Sequence, residues 1–258
     1  MNKVALITGT TNGIGKAFTE KLAHEQYDLI LVSRDGNKLS EQAHQLTEKY
    51  GIRAFGVPVN LLEKDAVQKV FEVVQKLGIT VQVLINNAGF NEYGIFTETD
   101  LQNEIDMIHL HTVVTTEMMK IFLPQMIENK YGRILNLGST GSYMACPYDA
   151  VYAATKAYVL SVSKGVNAEL KDTGVSVTTL CPGSTNTEFA HKAGMEKTLL
   201  FKLFVMSPDA VASIGYHALI KKRVSVVAGF YNKLMVFFSK ILPSKIAIAC
   251  AKIMLKPE

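Results

Sequence analysis

Val4-Ala5-Leu6-Ile7-Thr8-Gly9-Thr10-Thr11-Asn12-Gly13-Ile14-Gly15 is a short apolar run that breaks into a glycine-rich turn. A helical pattern follows it, near residues 13–26. Gly9 suits a sharp turn, Gly13 a close approach of backbone to a bound group, and Gly15 the packing of helix on strand. The exposed N–H groups of such a turn and the dipole of the helix behind it favour phosphates, so the stretch reads as a dinucleotide-binding turn through residues 9–15, with Thr11, Asn12 and Ile14 between the glycines. The spacing is G-x-x-x-G-x-G rather than G-x-G-x-x-G, so the strand before and the helix after carry the reading.

Outward from this turn the chain alternates. Val4–Ile7, Leu29–Val32, Ala54–Val59, Val81–Ile85, Ile134–Leu137, Val175–Leu180 and Val224–Ala228 read as strands, several of them almost continuous Val, Ile and Leu. Helical patterns lie near residues 13–26, 37–50, 62–77, 101–129, 151–172 and 208–221. The 3–4 spacing is clearest in Leu39, Ala43, Leu46 and Tyr50, and Gly174 reads as a helix stop. Alternating βα units predict an α/β, Rossmann-type, doubly wound parallel sheet of about seven strands with helices on both faces. Pro58 cannot donate to a ladder, which places the third strand at an edge.

The chain has 258 residues, 48% hydrophobic and 19% charged, as in a folded domain with a sizeable core. Cys146, Cys181 and Cys250 have no metal or disulfide spacing and suit a reducing compartment. The apolar run after Lys3 is too short for a secretion signal, and no uncharged run approaches the roughly 18 residues of a membrane span. A cytoplasmic location is the expectation. His24, His44, His109, His191 and His217 lack metal spacing, so no metal is expected. Residues 221–258 carry eight basic residues against Glu258 alone, which leaves the first 220 at −3 against a total of +4. The positive charge belongs to the tail, and a nucleic-acid patch on the body is not indicated.

Tyr152 and Lys156 stand four apart, on one face of a helix, with Ser139 thirteen residues before the tyrosine. A nearby ammonium favours the phenolate and lowers a tyrosine pKa from about 10. A phenol tuned in that way can give a proton to a carbonyl oxygen or take one from an alcohol, and Ser139 would hold the same oxygen. The second strand ends in Ser33-Arg34-Asp35. Asp35 is near the place of an acid that binds the ribose of NAD, yet it reads better as a helix cap. Arg34 could pair a 2′-phosphate through its planar fork, which favours NADP(H).

Thr8-Gly9-x-x-x-Gly13-x-Gly15, Asn86-Asn87-Ala88-Gly89, Ser139, Tyr152-x-x-x-Lys156 and Pro182-Gly183-x-x-x-Thr187, in that order, resemble the short-chain dehydrogenase/reductase family over about residues 3–229. The resemblance implies Tyr152 as general acid/base and Ser139 as the residue that orients the substrate oxygen. It implies Lys156 on the nicotinamide ribose, Asn87, Ala88 and Gly89 on the adenosine and ribose side, and Pro182, Gly183, Thr185 and Thr187 around the nicotinamide. Ser33 aligns with the acid that selects NAD, so its replacement and the following Arg34 look like the NADP-preferring subset. The resemblance also implies a homodimer or homotetramer, and a substrate lid at about 188–206. Two departures stand out. Asn60, followed by Leu61, replaces an adenine-contacting aspartate, and His111 replaces an asparagine that helps hold a water in the proton relay. Imidazole titrates near 6.5, so His111 reads either as a pH-sensitive member of the relay or as a packed histidine.

In the lid, Met195, Leu199, Leu200, Phe201, Leu203, Phe204, Val205 and Met206 read as a pocket for a bulky hydrophobic substrate or as helix core. Cys181 reads as a small packed thiol. In the extension at 230–258, Phe230, Leu234, Phe237, Phe238, Ile241 and Leu242 recur at helical spacing with Lys233 and Lys240 between them. Two readings are open: packing over the domain, or peripheral contact with an anionic membrane. The functional expectation is an NADP(H)-dependent oxidoreductase on a steroid-like or fatty-acyl-like ketone or alcohol. A nucleotide-binding regulatory protein with low turnover is the alternative that His111 and Asn60 admit.

Overall fold

The computed structural model describes residues 3–189, 193–203 and 205–257; His191, Phe204 and Glu258 lie outside the described residues. Strands β1 (Val4–Thr8), β2 (Asp28–Ser33), β3 (Ala54–Pro58), β4 (Val83–Asn86), β5 (Gly132–Leu137), β6 (Val175–Cys181) and β7 (Ser225–Val227) form one sheet in the order β3-β2-β1-β4-β5-β6-β7. Every pairing is parallel. Pro58 sits opposite Ser33 on the edge strand β3, where its missing N–H breaks no ladder.

Strand periodicity decides which side chains meet which layer. In β1, Val4 and Leu6 enter the core on one face of the sheet, and Ala5 and Ile7 the core on the other. In β2, Ile30 and Val32 divide from Leu29 and Leu31 in the same way. Helices α1 (Gly13–His24), α2 (Gly36–Tyr50), α3 (Ala66–Lys76), α4 (Leu101–Ile108), α5 (Thr115–Glu128) and α6 (Ala150–Glu169) follow their strands. Further along lie α7 (Leu199–Lys202), α8 (Pro208–Ile220), α9 (Phe230–Ile241) and α10 (Ser244–Met254). One core takes Val70 of α3, Phe122 of α5 and Val166 of α6. The other takes Phe18 of α1, Leu39 of α2 and Leu219 of α8. Both faces of the sheet are therefore covered, which is why its strands carry so little polarity.

The helix expected over 101–129 contains a π-helical segment, His109–Val114, between α4 and α5. Such a turn rotates the side chains that follow it, and it often marks a functional site. The topological switch lies between β4 and β1, whose crossover connections leave in opposite directions. A ligand crevice is expected at the carboxyl ends of those strands.

Candidate active site

The carboxyl ends of β1, β4, β5 and β6 open on one cleft of about 590 Å³. Gly9, Thr11, Asn12, Gly13, Ile14, Gly15, Ser33, Arg34, Asn60, Leu61, Asn87, Ala88 and Gly89 line one part of it. Ser139, Tyr152, Lys156, Pro182, Gly183, Thr185 and Thr187 line the rest. Residues far apart in sequence thus converge. Of the candidate catalytic and cofactor-binding residues, His111 alone is not part of this lining.

The glycine turn is a cradle that side chains would fill. Gly9 and Gly13 have φ of +70° and +54°, a region that favours glycine. A β-carbon at Gly13 would lie 3.1 Å from Thr187, and one at Gly15 would overlap the Gly9 carbonyl oxygen. Asn87 holds the turn: its Nδ2 donates to the carbonyls of Thr8 (2.9 Å) and Gly9 (3.0 Å). Asn12 sits at the N-cap of α1 without a side-chain cap bond, and no acid stands in the first turn. The helix therefore offers its N–H groups to the cleft, a setting suited to an anionic pyrophosphate.

At the far end, Ser33 Oγ lies 3.4 Å from Thr11 Oγ1. Asp35 turns away and accepts from Lys38 N (3.1 Å) as the N-cap of α2. Arg34 is left as the ionic side chain of this end. Asn60 Oδ1 accepts from Leu62 N (3.3 Å), fixing the loop after β3.

Tyr152 and Lys156 share one face of α6, and Ser139 comes from the end of β5. All three line the cleft, and the Ser139 hydroxyl accepts from the Gly141 N–H (3.1 Å). In this structure the phenol shifts upward, and Lys156 is not among the causes. Burial first, and then the Asp149 carboxylate, push Tyr152 well above its ordinary value, with the Ser139 hydroxyl opposing. The reason is positional. Lys156 Nζ donates to the Leu137 carbonyl (3.0 Å) and lies over the ring, 5.5 Å from its centroid. Burial also pulls the amine down to about 7, so it is a weak source of positive charge.

His111 belongs to the π-helical segment and is 1% exposed. Thr155 Oγ1 already donates to the Tyr152 carbonyl (2.7 Å), so the 2.9 Å contact to His111 Nδ1 has the imidazole as donor. Nε2 is then a bare acceptor, buried and without a protein partner, against Gly89. The ring stands edge-on to Tyr152, 5.7 Å between centroids. Burial, reinforced by Lys156, holds His111 well below the ordinary 6.5. Burial in this position favours the neutral imidazole.

The sequence reading missed Asn91 and Asp149, which also line the cleft. Asp149 occupies the N-cap of α6, yet its carboxylate makes no cap bond. It accepts instead from Asn91 Nδ2 (2.9 Å), which also reaches Met195 Sδ (3.2 Å). The available signal was its place three residues before Tyr152, but an aspartate at a helix start reads first as a cap. Burial, with the Asn91 bond opposing, raises Asp149 from 3.8 to about 7. A raised carboxylate stabilises the fold fully below its unfolded pKa, and that contribution is lost as pH climbs towards the folded value. Asp149→Asn should therefore stabilise the protein at pH 8 by roughly 2–4 kcal/mol, the gain vanishing towards pH 4. Denaturant melts at the two pH values check this; an equal effect at both would contradict it.

The lid divides. Met195, Leu200 and Phe201 line the cleft together with Phe189, whereas Leu199, Leu203 and Val205 face outward. Burial pushes the Cys181 thiol up to about 11, as befits a packed, unreactive side chain. Among the described residues no cluster of His, Cys, Asp or Glu could hold a metal.

A family model described as short chain dehydrogenase matches residues 3–198. 3-Oxoacyl-(acyl-carrier-protein) reductase FabG of Aquifex aeolicus (strain VF5) is 30% identical over 217 residues, 82% of this chain and 88% of that protein. The very-long-chain 3-oxoacyl-CoA reductase of Mus musculus is 30% identical over 255 residues, 93% of this chain and 81% of that one. A short-chain dehydrogenase from Sphingobium yanoikuyae, solved in complex with NADPH, superposes with a TM-score of 0.80 at 25% identity, covering 93% of each chain. The ordered glycine turn, the Ser139–Tyr152–Lys156 group and these matches lead to one conclusion: the chain belongs to the short-chain dehydrogenase family, oxidoreductases that use nicotinamide cofactors.

Proposed function

We propose that this chain is an NADP(H)-dependent reductase that interconverts a hydrophobic ketone and its secondary alcohol. The observation that carries the reading is the meeting, on one cleft, of Ser139, Tyr152 and Lys156 with the apolar Phe189, Met195, Leu200 and Phe201. A bound nicotinamide supplies or accepts the hydride. Ser139 orients the substrate oxygen, and Tyr152 holds or receives the proton at that oxygen. A phenol kept neutral by burial is present in the protonated form that reduction requires. Lys156, on the same wall, would face the ribose of the bound cofactor. The N–H groups behind Gly13 hold the pyrophosphate, with Asn87, Ala88 and Gly89 on the adenosine side and Pro182, Gly183, Thr185 and Thr187 around the carboxamide.

NADP(H) is favoured because the adenosine end presents Arg34 and the Ser33 hydroxyl, while the Asp35 carboxylate is engaged as a cap. A guanidinium pairs a 2′-phosphate with two parallel bonds. Arg34→Ala is expected to lower kcat/KM with NADPH by roughly 10- to 100-fold, mostly through KM, with little change for NADH. Equal losses with both cofactors would remove the argument for NADP(H). An acyl-like ketone is the substrate class that the two 3-oxoacyl reductases support, and a steroid-like ketone suits the same greasy wall. A panel of both kinds, followed by NADPH oxidation, decides. Tight NADPH binding with no turnover on any member would favour a nucleotide-binding regulatory role instead.

A further inference from the structure

Helix α9 rests on the body by one face and carries apolar side chains on the other. Asn232 and Val236 are buried and hold it to the body; Asn232 Nδ2 donates to the Ala228 carbonyl (2.7 Å). Phe230, Leu234, Phe237 and Ile241 recur at the four- and three-residue spacing of a single stripe, and they point outward. Phe230 is 69%, Phe237 56% and Ile241 62% exposed, and Phe238 beside the stripe is open as well. On α10, Ala247 and Ala251 face inward while Ile246 and Ile253 are exposed. Aromatic and branched side chains open to water over two adjoining helices form a patch of the kind that marks an interaction surface.

The charge around this patch selects its partner. Lys233, Lys245, Lys252 and Lys256 accompany it, Lys240 lies over the Tyr143 ring, and no Asp or Glu occurs between residues 210 and 257. A second copy docking face to face would set lysines against lysines. An anionic lipid surface answers both features, with headgroups for the ammonium groups and the acyl boundary for the phenylalanines. No helix among the described residues is long and apolar enough to cross a membrane, so such contact lies on the surface.

We propose that α9 and α10 dock this chain on an anionic membrane surface. The same helices touch the cleft. Asn232 abuts Gly183, the Leu255 side chain packs with Met195, and Tyr93 Oη donates to the Leu255 carbonyl. Docking would bring a cleft wall to the lipid, where hydrophobic ketones partition. That consequence rests on the function proposed above; the docking itself does not.

The test is co-sedimentation of the full chain with vesicles of phosphatidylcholine alone, and of phosphatidylcholine with about one third phosphatidylglycerol, at about 0.02 M and about 1 M salt. The expected result is at least roughly tenfold stronger partitioning onto the anionic vesicles at low salt, weakened at high salt. Phe237→Ser with Phe238→Ser, and separately Lys233→Gln with Lys245→Gln, should each lower it by about tenfold or more, with melting temperature and NADPH binding retained. Absence of binding to anionic vesicles at low salt would overturn the proposal, as would a phenylalanine pair variant that binds like the parent. So would light scattering that shows a dimer split by the same pair, since a second copy would then own the face. All of these readouts stand whether or not any ketone is turned over.

Discussion

Tyr152→Phe is expected to lower kcat for ketone reduction by roughly 10²- to 10⁴-fold, the range of a positioned general acid. The ring stays, so its edge-on packing with His111 and its contact with Phe189, 5.8 Å between centroids, should persist. The hydroxyl, which faces the cleft beside Ser139, is all that is lost. NADPH affinity should change by less than about threefold, because the cofactor cradle is built by other residues. Tyr152 is half-buried at the cleft wall, so losing the hydroxyl should change stability by less than about 1 kcal/mol. Fluorescence titration of NADPH beside steady-state rates separates the two effects. A variant that loses cofactor binding in step with turnover would mean that Tyr152 acts through structure rather than as the acid.

Gly15→Ala should produce the largest loss of cofactor affinity. A methyl at this position would overlap the Gly9 carbonyl oxygen and crowd Asn87 Nδ2, so backbone rather than a flexible side chain has to move. Gly9 and Asn87 together define the turn. Displacing them is expected to weaken NADPH binding by at least about 100-fold and to cost roughly 1–3 kcal/mol of stability through overpacking. Gly165→Ala is the matched control. It lies within α6 with no atom near the added methyl, so it should stabilise by roughly 0.5–1 kcal/mol and leave binding unchanged. Similar behaviour of the two variants, read by isothermal titration and denaturant melts, would refute the role given to the turn.

The sheet could be read from the sequence because its strands are short and apolar, and each is followed by a helix with a clear inward face. Pro58 alone was enough to place β3 at the edge. The glycine turn and the residues of the cleft were readable for a similar reason: each sits at the carboxyl end of a strand, where local pattern fixes position. Contacts that depend on three-dimensional burial were not. The charge of Lys156 was assigned from its four-residue spacing to Tyr152, but spacing carries no information about desolvation, which pulls this amine to about 7. The π-helical segment that carries His111 leaves no periodic signature in six residues. Asp149 looked like any helix-starting aspartate until its partner, Asn91, arrived from 58 positions away.

The most direct measurement is to supply NADPH deuterated at the transferable C4 position with an acyl-like or steroid-like ketone and to examine the product by mass spectrometry and NMR. One deuterium on the carbinol carbon, appearing at least about 100-fold more slowly with Tyr152→Phe, is the result expected of a reductase working through this cleft. A product without deuterium, or tight NADPH binding with no product from any ketone, would contradict it.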